Sequence, residues 1–174
     1  REAAYIGENF QIGQSRVILD PRTLAKLLDA LNIHNDESVL DIGSGLGYSS
    51  AVISLIAEVV IAVEDDSSLV SEAEEILSEV GADNVVVQFS KLEDGAPEHG
   101  PYDVIILQGG VEEIPVSILK QLKNGGRIGA IFIKEGLGTA KIGFKLNDKI
   151  NWRYSFNAAA PVLPGFFKQK DFAL

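Results

Sequence analysis

Cysteine is absent from the 174 residues. That excludes disulfides, thiolate metal sites and cysteine nucleophiles. Methionine is absent as well, the initiating one included, so either residues before Arg1 or methionines and other residues within the chain are expected to be missing. Histidine occurs twice, at His34 and His99. The two are far apart in polar, turn-like surroundings, so both are expected as solvated loop residues and no metal site is expected. No run approaches the ~18 consecutive apolar residues of a membrane helix. The visible N-terminus shows no secretory pattern, so a cytoplasmic protein without membrane contact is expected. Positive charge is scarce: 15 Lys and Arg stand against 25 Asp and Glu, a net charge of -10. Such a balance disfavours nucleic-acid binding by phosphate neutralisation. The basic residues concentrate late, 7 of them beside 3 acidic ones in residues 134–174, where solvated lysines on exposed strands account for them.

What is present suits one globular domain with a full core, since 46% of the residues are hydrophobic. The stretch "LDPRTLAKLLDALNI" opens a helix: Asp20 caps it, and Pro21 fits the first helical position, where no amide hydrogen is needed. Leu24, Leu27, Leu28 and Leu31 recur at helical spacing and form one apolar face. Short apolar runs then alternate with amphipathic segments. "SVLDIG", "VVIAVE", "NVVVQF", "YDVIILQ" and "GGRIGAIFI" read as strands. Helices are predicted over Tyr48 to Ala57, Ser67 to Val80 and about Pro115 to Leu122. The pattern predicts an α/β fold, a mostly parallel sheet with helices on both faces. From Lys134 the rhythm changes, and "AKIGFKLNDKINWRYSF" predicts an antiparallel C-terminal hairpin turning at Asn147-Asp148. Trp152 and Tyr154 lie on one face of its second strand and are expected in the core. "NAAAPVLPGFFKQKDFAL" reads as loop, punctuated by Pro161, Pro164 and Gly165.

The informative stretch is "VLDIGSGLGYSS", Val39 to Ser50. In an open parallel sheet, ligands bind beyond the carboxyl ends of the strands, where strand order reverses. Gly43, Gly45 and Gly47 allow a tight turn and close approach of ligand to backbone. A nucleoside triphosphate would require a glycine-lysine-serine/threonine ending, whereas Gly47 is followed by Tyr48 and Ser49. A dinucleotide would prefer G-x-G-x-x-G, and the third glycine comes one residue early. The pattern acid-x-G-x-G-x-G suits S-adenosylmethionine, with Asp41 supplying negative charge near the cationic end. Glu64 closes the second strand 21 residues after Gly43, where an acid accepts hydrogen bonds from ribose hydroxyls. Gln108, Gly109 and Gly110 end the fourth strand on the side where an acceptor would lie. Orientation of a polar substrate and ordinary strand-to-helix turning are equally open there. Glu112 and Glu113 are expected as exposed charges.

Together with "DNVVV" and "PYDVIILQGGVEEIPVSILKQLKNGGRIGAI", the glycine loop resembles the protein-L-isoaspartate O-methyltransferases, from about Ile12 to Ile133. The tail "NAAAPVLPGF" is similar to that of a divergent bacterial branch. The resemblance implies a Rossmann-like S-adenosylmethionine-dependent methyltransferase fold spanning 1–174 as a single domain. It divides into an N-terminal helical, acceptor-side segment (1–35), a cofactor-binding core (36–133) and an antiparallel tail (134–174). It implies S-adenosyl-L-methionine as cofactor and methyl transfer to a carboxylate of damaged protein, a protein or peptide isoaspartyl substrate. Monomer is the favoured state. Carried over, Asp41, Gly43, Ser44 and Gly45, with Gly47 closing the loop, line the methionine end, while Glu64, with Asp65 beside it, holds the ribose. Two positions depart from the pattern. Leu19 stands where the family has a serine that engages the acceptor, and Lys91 stands where an aspartate holds the adenine amine. A lysine cannot accept a hydrogen bond, so adenine is expected to rest on Leu92 and backbone groups. No catalytic side chain is named, because an aspartyl-like carboxylate, pKa ~3.9, is already ionised at pH 7. The alternatives are a non-catalytic module binding the same cofactor, a methyltransferase with another acceptor, and a nicotinamide oxidoreductase resting on the glycines and Glu64 alone.

Overall fold

The computed structural model describes residues 8–169. A small antiparallel pair, β1 (Phe10–Gln11) and β2 (Val17–Ile18), precedes helix α1 (Pro21–Leu31). The main sheet comprises β3 (Ser38–Ile42), β4 (Val59–Glu64), β5 (Val85–Phe89), β6 (Tyr102–Val111), β7 (Leu122–Lys134), β8 (Leu137–Leu146) and β9 (Lys149–Asn157). Its order is β5-β4-β3-β6-β7-β8-β9. The first five neighbours run parallel, and β8 and β9 add on antiparallel. Helices α2 (Tyr48–Ser54), α3 (Ser67–Glu79) and α4 (Val116–Lys120) fill the connections.

Local chemistry accounts for the boundaries. The Asp20 carboxylate accepts hydrogen bonds from the amides of Arg22 and Thr23, and Asn32 ends α1 in the left-handed region. Leu24, Leu27, Leu28 and Leu31 are all buried. Asn147 and Asp148 both take positive φ, 49° and 60°, the geometry of a tight turn whose twist matches the two strands it joins. A second such turn, Glu135-Gly136, with φ of 52° and 79°, joins β7 to β8. Helix α2 stops at Ser54, three residues short of the predicted end, because the chain must tighten before β4 starts at Val59.

Strand alternation divides the core into two layers. Leu40, Ile42, Ile61, Val63, Ile105 and Leu107 face one way, toward Ile118 of α4 and Leu163 and Phe166 of the tail. Val39, Val60, Val104 and Ile106 face the other way, toward the α1 leucines and Ile53 of α2. The central strands β3, β4 and β6 are covered on both faces, which explains their continuous apolar sequence.

Two expectations fail in the tail. Trp152 is half-buried and packs edge-to-face on Phe132, with ring centroids 4.7 Å apart, but Tyr154 is 65% exposed. The β8–β9 ladder slips one residue between Ala140 and Lys141. Beyond the slip Phe156 packs against the second core layer, and Tyr154 stays on the uncovered part of an edge strand. Nor are the tail lysines uniformly solvated. Lys145 is buried, and its Nζ donates to the carbonyls of Leu119 and Leu122 at 3.0 and 2.8 Å, satisfying one acceptor in the last turn of α4 and one at the start of β7.

Candidate functional site

Strand order reverses at β3, whose neighbours are β4 on one side and β6 on the other. Ligand sites of open α/β sheets lie beyond the strand ends at such a point, and there the glycine loop, Glu64, Asp65 and Gln108 converge. Gly43, Gly45 and Gly47 all have positive φ (78°, 57° and 82°), which the left-handed region reserves largely for glycine. Crowding adds to the requirement. A Cβ on Gly45 would lie 2.6 Å from Ile12 Cδ1, and one on Gly43 3.4 Å from both Leu163 Cδ2 and an Arg16 nitrogen. Ser44 is buried, and its hydroxyl has no hydrogen-bond partner. The loop thus presents bare backbone and one unspent hydroxyl.

Asp41 is wholly buried behind this loop. Its Oδ2 accepts from the hydroxyls of Ser49 and Ser50 at 2.6 and 2.5 Å, and its Oδ1 accepts from Gln108 Nε2 at 2.7 Å. The carboxylate therefore ties β3 to the first turn of α2 and to β6. Burial pushes the Asp41 carboxyl up, against the lowering effect of its three donors. Gln108 is spent on this clamp. Ser49 and Ser50 are partners that spacing alone did not reveal.

Glu64 ends β4, fully buried, and its oxygens are heavily used. Oε2 accepts from the Gly45 amide at 2.8 Å, and Oε1 from the amides of Asp65 and Asp66 at 2.9 and 3.2 Å. Across them lies Arg16, from the turn before β2. Its two terminal nitrogens reach Oε1 and Oε2 at 2.7 and 2.5 Å, and one also reaches Asp65 Oδ1 at 2.8 Å. Burial alone would raise the Glu64 carboxyl, but the guanidinium overcomes it and holds the group below the usual carboxylate range. Burial likewise works against the Arg16 charge, and Glu64 and Asp65 outweigh it, so the guanidinium is held above its ordinary value. Asp65 is pushed up, first by burial and then by its neighbour Glu64. Sequence patterns gave no role to Arg16. The available signal was the single cation of "IGQSRVIL", standing directly before an apolar run.

The remaining positions lie around this centre. Leu92 is wholly buried within the first core layer, and Lys91 before it is exposed. Leu19 is buried in the second layer. The tail crosses the end of β6: the Gly110 amide donates to Pro161 O at 2.7 Å, and the Leu163 amide to Gly110 O at 2.9 Å. A Cβ on Gly109 would lie 2.6 Å from Leu163 Cδ2. The space beside Gly109 and Gly110 is thus taken by the tail. Glu112 and Glu113 are exposed, as expected.

The family model for Protein-L-isoaspartate(D-aspartate) O-methyltransferase (PCMT) matches residues 1–150. The chain belongs to the protein-L-isoaspartate(D-aspartate) O-methyltransferase family. It is 35% identical over 127 residues to the protein-L-isoaspartate O-methyltransferase of Syntrophus aciditrophicus, covering 73% of this chain and 58% of that protein. It is 36% identical over 138 residues to protein-L-isoaspartate O-methyltransferase 1 of Nitrosospira multiformis, covering 77% and 58%. The chain therefore spans under two-thirds of the length of these relatives. Among solved structures, a protein-L-isoaspartate O-methyltransferase superposes with a TM-score of 0.81 at 25% identity, over 90% of this chain and 51% of that one. A beta-aspartate methyltransferase (PCMT) from Plasmodium falciparum, in complex with S-adenosyl-L-homocysteine, shares the fold with a TM-score of 0.76 at 20% identity, over 91% and 81%.

Proposed function

We propose that this chain is a single S-adenosylmethionine-dependent methyltransferase domain acting on a carboxylate of damaged protein, with isoaspartyl side chains as the substrate class. The observation that carries the reading is the pairing of a glycine loop bearing an unpartnered Ser44 hydroxyl with Glu64 at the adjoining strand end. These residues fit the cofactor. Gly43, Ser44, Gly45 and Gly47 would hold its methionine end, where bare backbone permits contact. Glu64, flanked by Asp65, would take the ribose hydroxyls, while Leu92, wholly buried in the core, would back the site without offering surface to the adenine. When bound, S-adenosylmethionine supplies an electrophilic methyl group.

The chain's own residues then have two tasks. The Asp41 clamp holds the loop and the start of α2 at one spacing from β6. Leu163 and Ile12 cover the loop and exclude water, strengthening electrostatic interactions inside. The acceptor carboxylate is already ionised at neutral pH, so positioning and desolvation suffice without a general base. Leu19 in place of a serine removes one hydrogen bond to the acceptor peptide.

The deciding experiment is incubation of an isoaspartyl peptide with methyl-labelled S-adenosylmethionine. Base-labile methyl ester supports the assignment. Absence of ester beside measurable cofactor binding rejects the acceptor and leaves a second reading, a cofactor-binding module without turnover, which Leu19 favours. Absence of cofactor affinity rejects both.

A further inference from the structure

Arg16 is the cation that the proposed function does not use, and it occupies the most telling position in the molecule. Its side chain is 9% exposed and Glu64's is fully buried. An ionised carboxylate offers about four lone-pair sites. Glu64 receives the three amides of Gly45, Asp65 and Asp66 and, in addition, both terminal nitrogens of Arg16, one on each oxygen. It is saturated. Two vicinal ribose hydroxyls would approach a carboxylate as a parallel pair of donors, the pattern a guanidinium fork presents. The Arg16 Nε is also buried and lacks a hydrogen-bond partner, so the side chain is held by its fork alone.

The covering hairpin reinforces the point. Arg16 lies between Ile12, whose Cδ1 rests over Gly45, and Val17 of β2. The Ile12 amide donates to Arg16 O at 3.0 Å. Asn9 ties the same segment to the tail through Ala159 O at 2.8 Å. A ligand on Glu64 and a ligand on the Gly43–Gly45 backbone would thus meet one and the same element.

We propose that Arg16 is an internal competitor for the ribose-binding carboxylate: the adenosine ligand engages Glu64 only when the Arg16 fork swings away, so Arg16 sets the affinity of the site. This rests on the cofactor reading above. It predicts a site whose occupancy is linked to displacement of residues 10–18, and a weaker affinity than the glycine loop and Glu64 alone would confer.

The test is calorimetric titration of S-adenosylhomocysteine into the full chain and its R16Q and R16A variants, with folding of each checked by circular dichroism. Both variants should bind at least tenfold more tightly than the parent. A second readout uses the parent protein only. Arg16 should resist modification by phenylglyoxal when free and become labelled, as read by peptide mass mapping, when S-adenosylhomocysteine is saturating. Equal or weaker binding by folded R16Q, or unchanged protection of Arg16 in the liganded parent, overturns the competitor and leaves the cofactor reading intact. Failure of all three proteins to bind overturns both.

Discussion

Replacing Asp41 separates a structural clamp from a ligand contact. In D41A three donors, the Ser49 and Ser50 hydroxyls and the Gln108 amide, lose acceptors they meet at 2.5–2.7 Å in a fully buried setting. Each stranded buried donor costs about 1–3 kcal/mol. Against this, removing a carboxylate whose ionisation burial disfavours returns part of the loss. The expected balance is a destabilisation of about 3–5 kcal/mol. D41N keeps the shape. Its carbonyl still accepts from Gln108, and its amide donates to a hydroxyl that rotates to receive it, so the loss falls to about 1–2 kcal/mol. The two variants are compared by urea unfolding, reading the midpoint at constant slope. The pH dependence supplies an independent sign. A carboxyl raised in the folded state binds more protons there than when unfolded, so its contribution to stability is fully present below ~3.9 and lost as pH rises through the raised folded value. The advantage of the parent over D41N should therefore grow as pH falls from neutrality. D41A unfolding at the parent's midpoint, or D41N losing as much as D41A, would refute the clamp.

Three further outcomes follow from the same structure. Glu64 is held below the usual carboxylate range, its burial outweighed by Arg16; the pair's contribution is fully present above ~4.3 and lost as pH falls through the depressed folded value. Acid titration of R16Q should therefore show a shallower loss of stability below about pH 4 than the parent, and parallel curves would contradict it. In G138A the new Cβ would lie 1.9 Å from Ala158 O, a backbone atom, so β8 and the start of the tail must separate. Thermal unfolding should show a loss of at least about 2 kcal/mol, and a neutral variant would disprove the contact. K145M removes the ammonium that caps the carbonyls of Leu119 and Leu122; urea unfolding should show a loss of about 1–3 kcal/mol, and unaltered stability would show that the cap carries nothing.

The sequence by itself determined the elements and much of the site. Alternating apolar runs and amphipathic segments are local signals, because strands buried on both faces must be apolar throughout, and helices between sheet and solvent must be apolar on one side. Positive-φ demand made Gly43, Gly45, Gly47 and the Asn147-Asp148 turn legible one residue at a time. The spacing of Asp41 and Glu64 followed from a strand–helix–strand unit, whose length is set by geometry. Tertiary structure decided what each carboxylate touches. Asp41 meets Gln108, 67 residues away, and Glu64 meets Arg16, 48 residues away. No pattern within a strand encodes such pairings, because a charge is compensated by whatever the fold brings within about 3 Å. The same reason explains Tyr154, whose exposure depends on what covers the edge strand β9 beyond Trp152, and Leu163, whose place over Gly43 and Gly109 required the tail to return across β6.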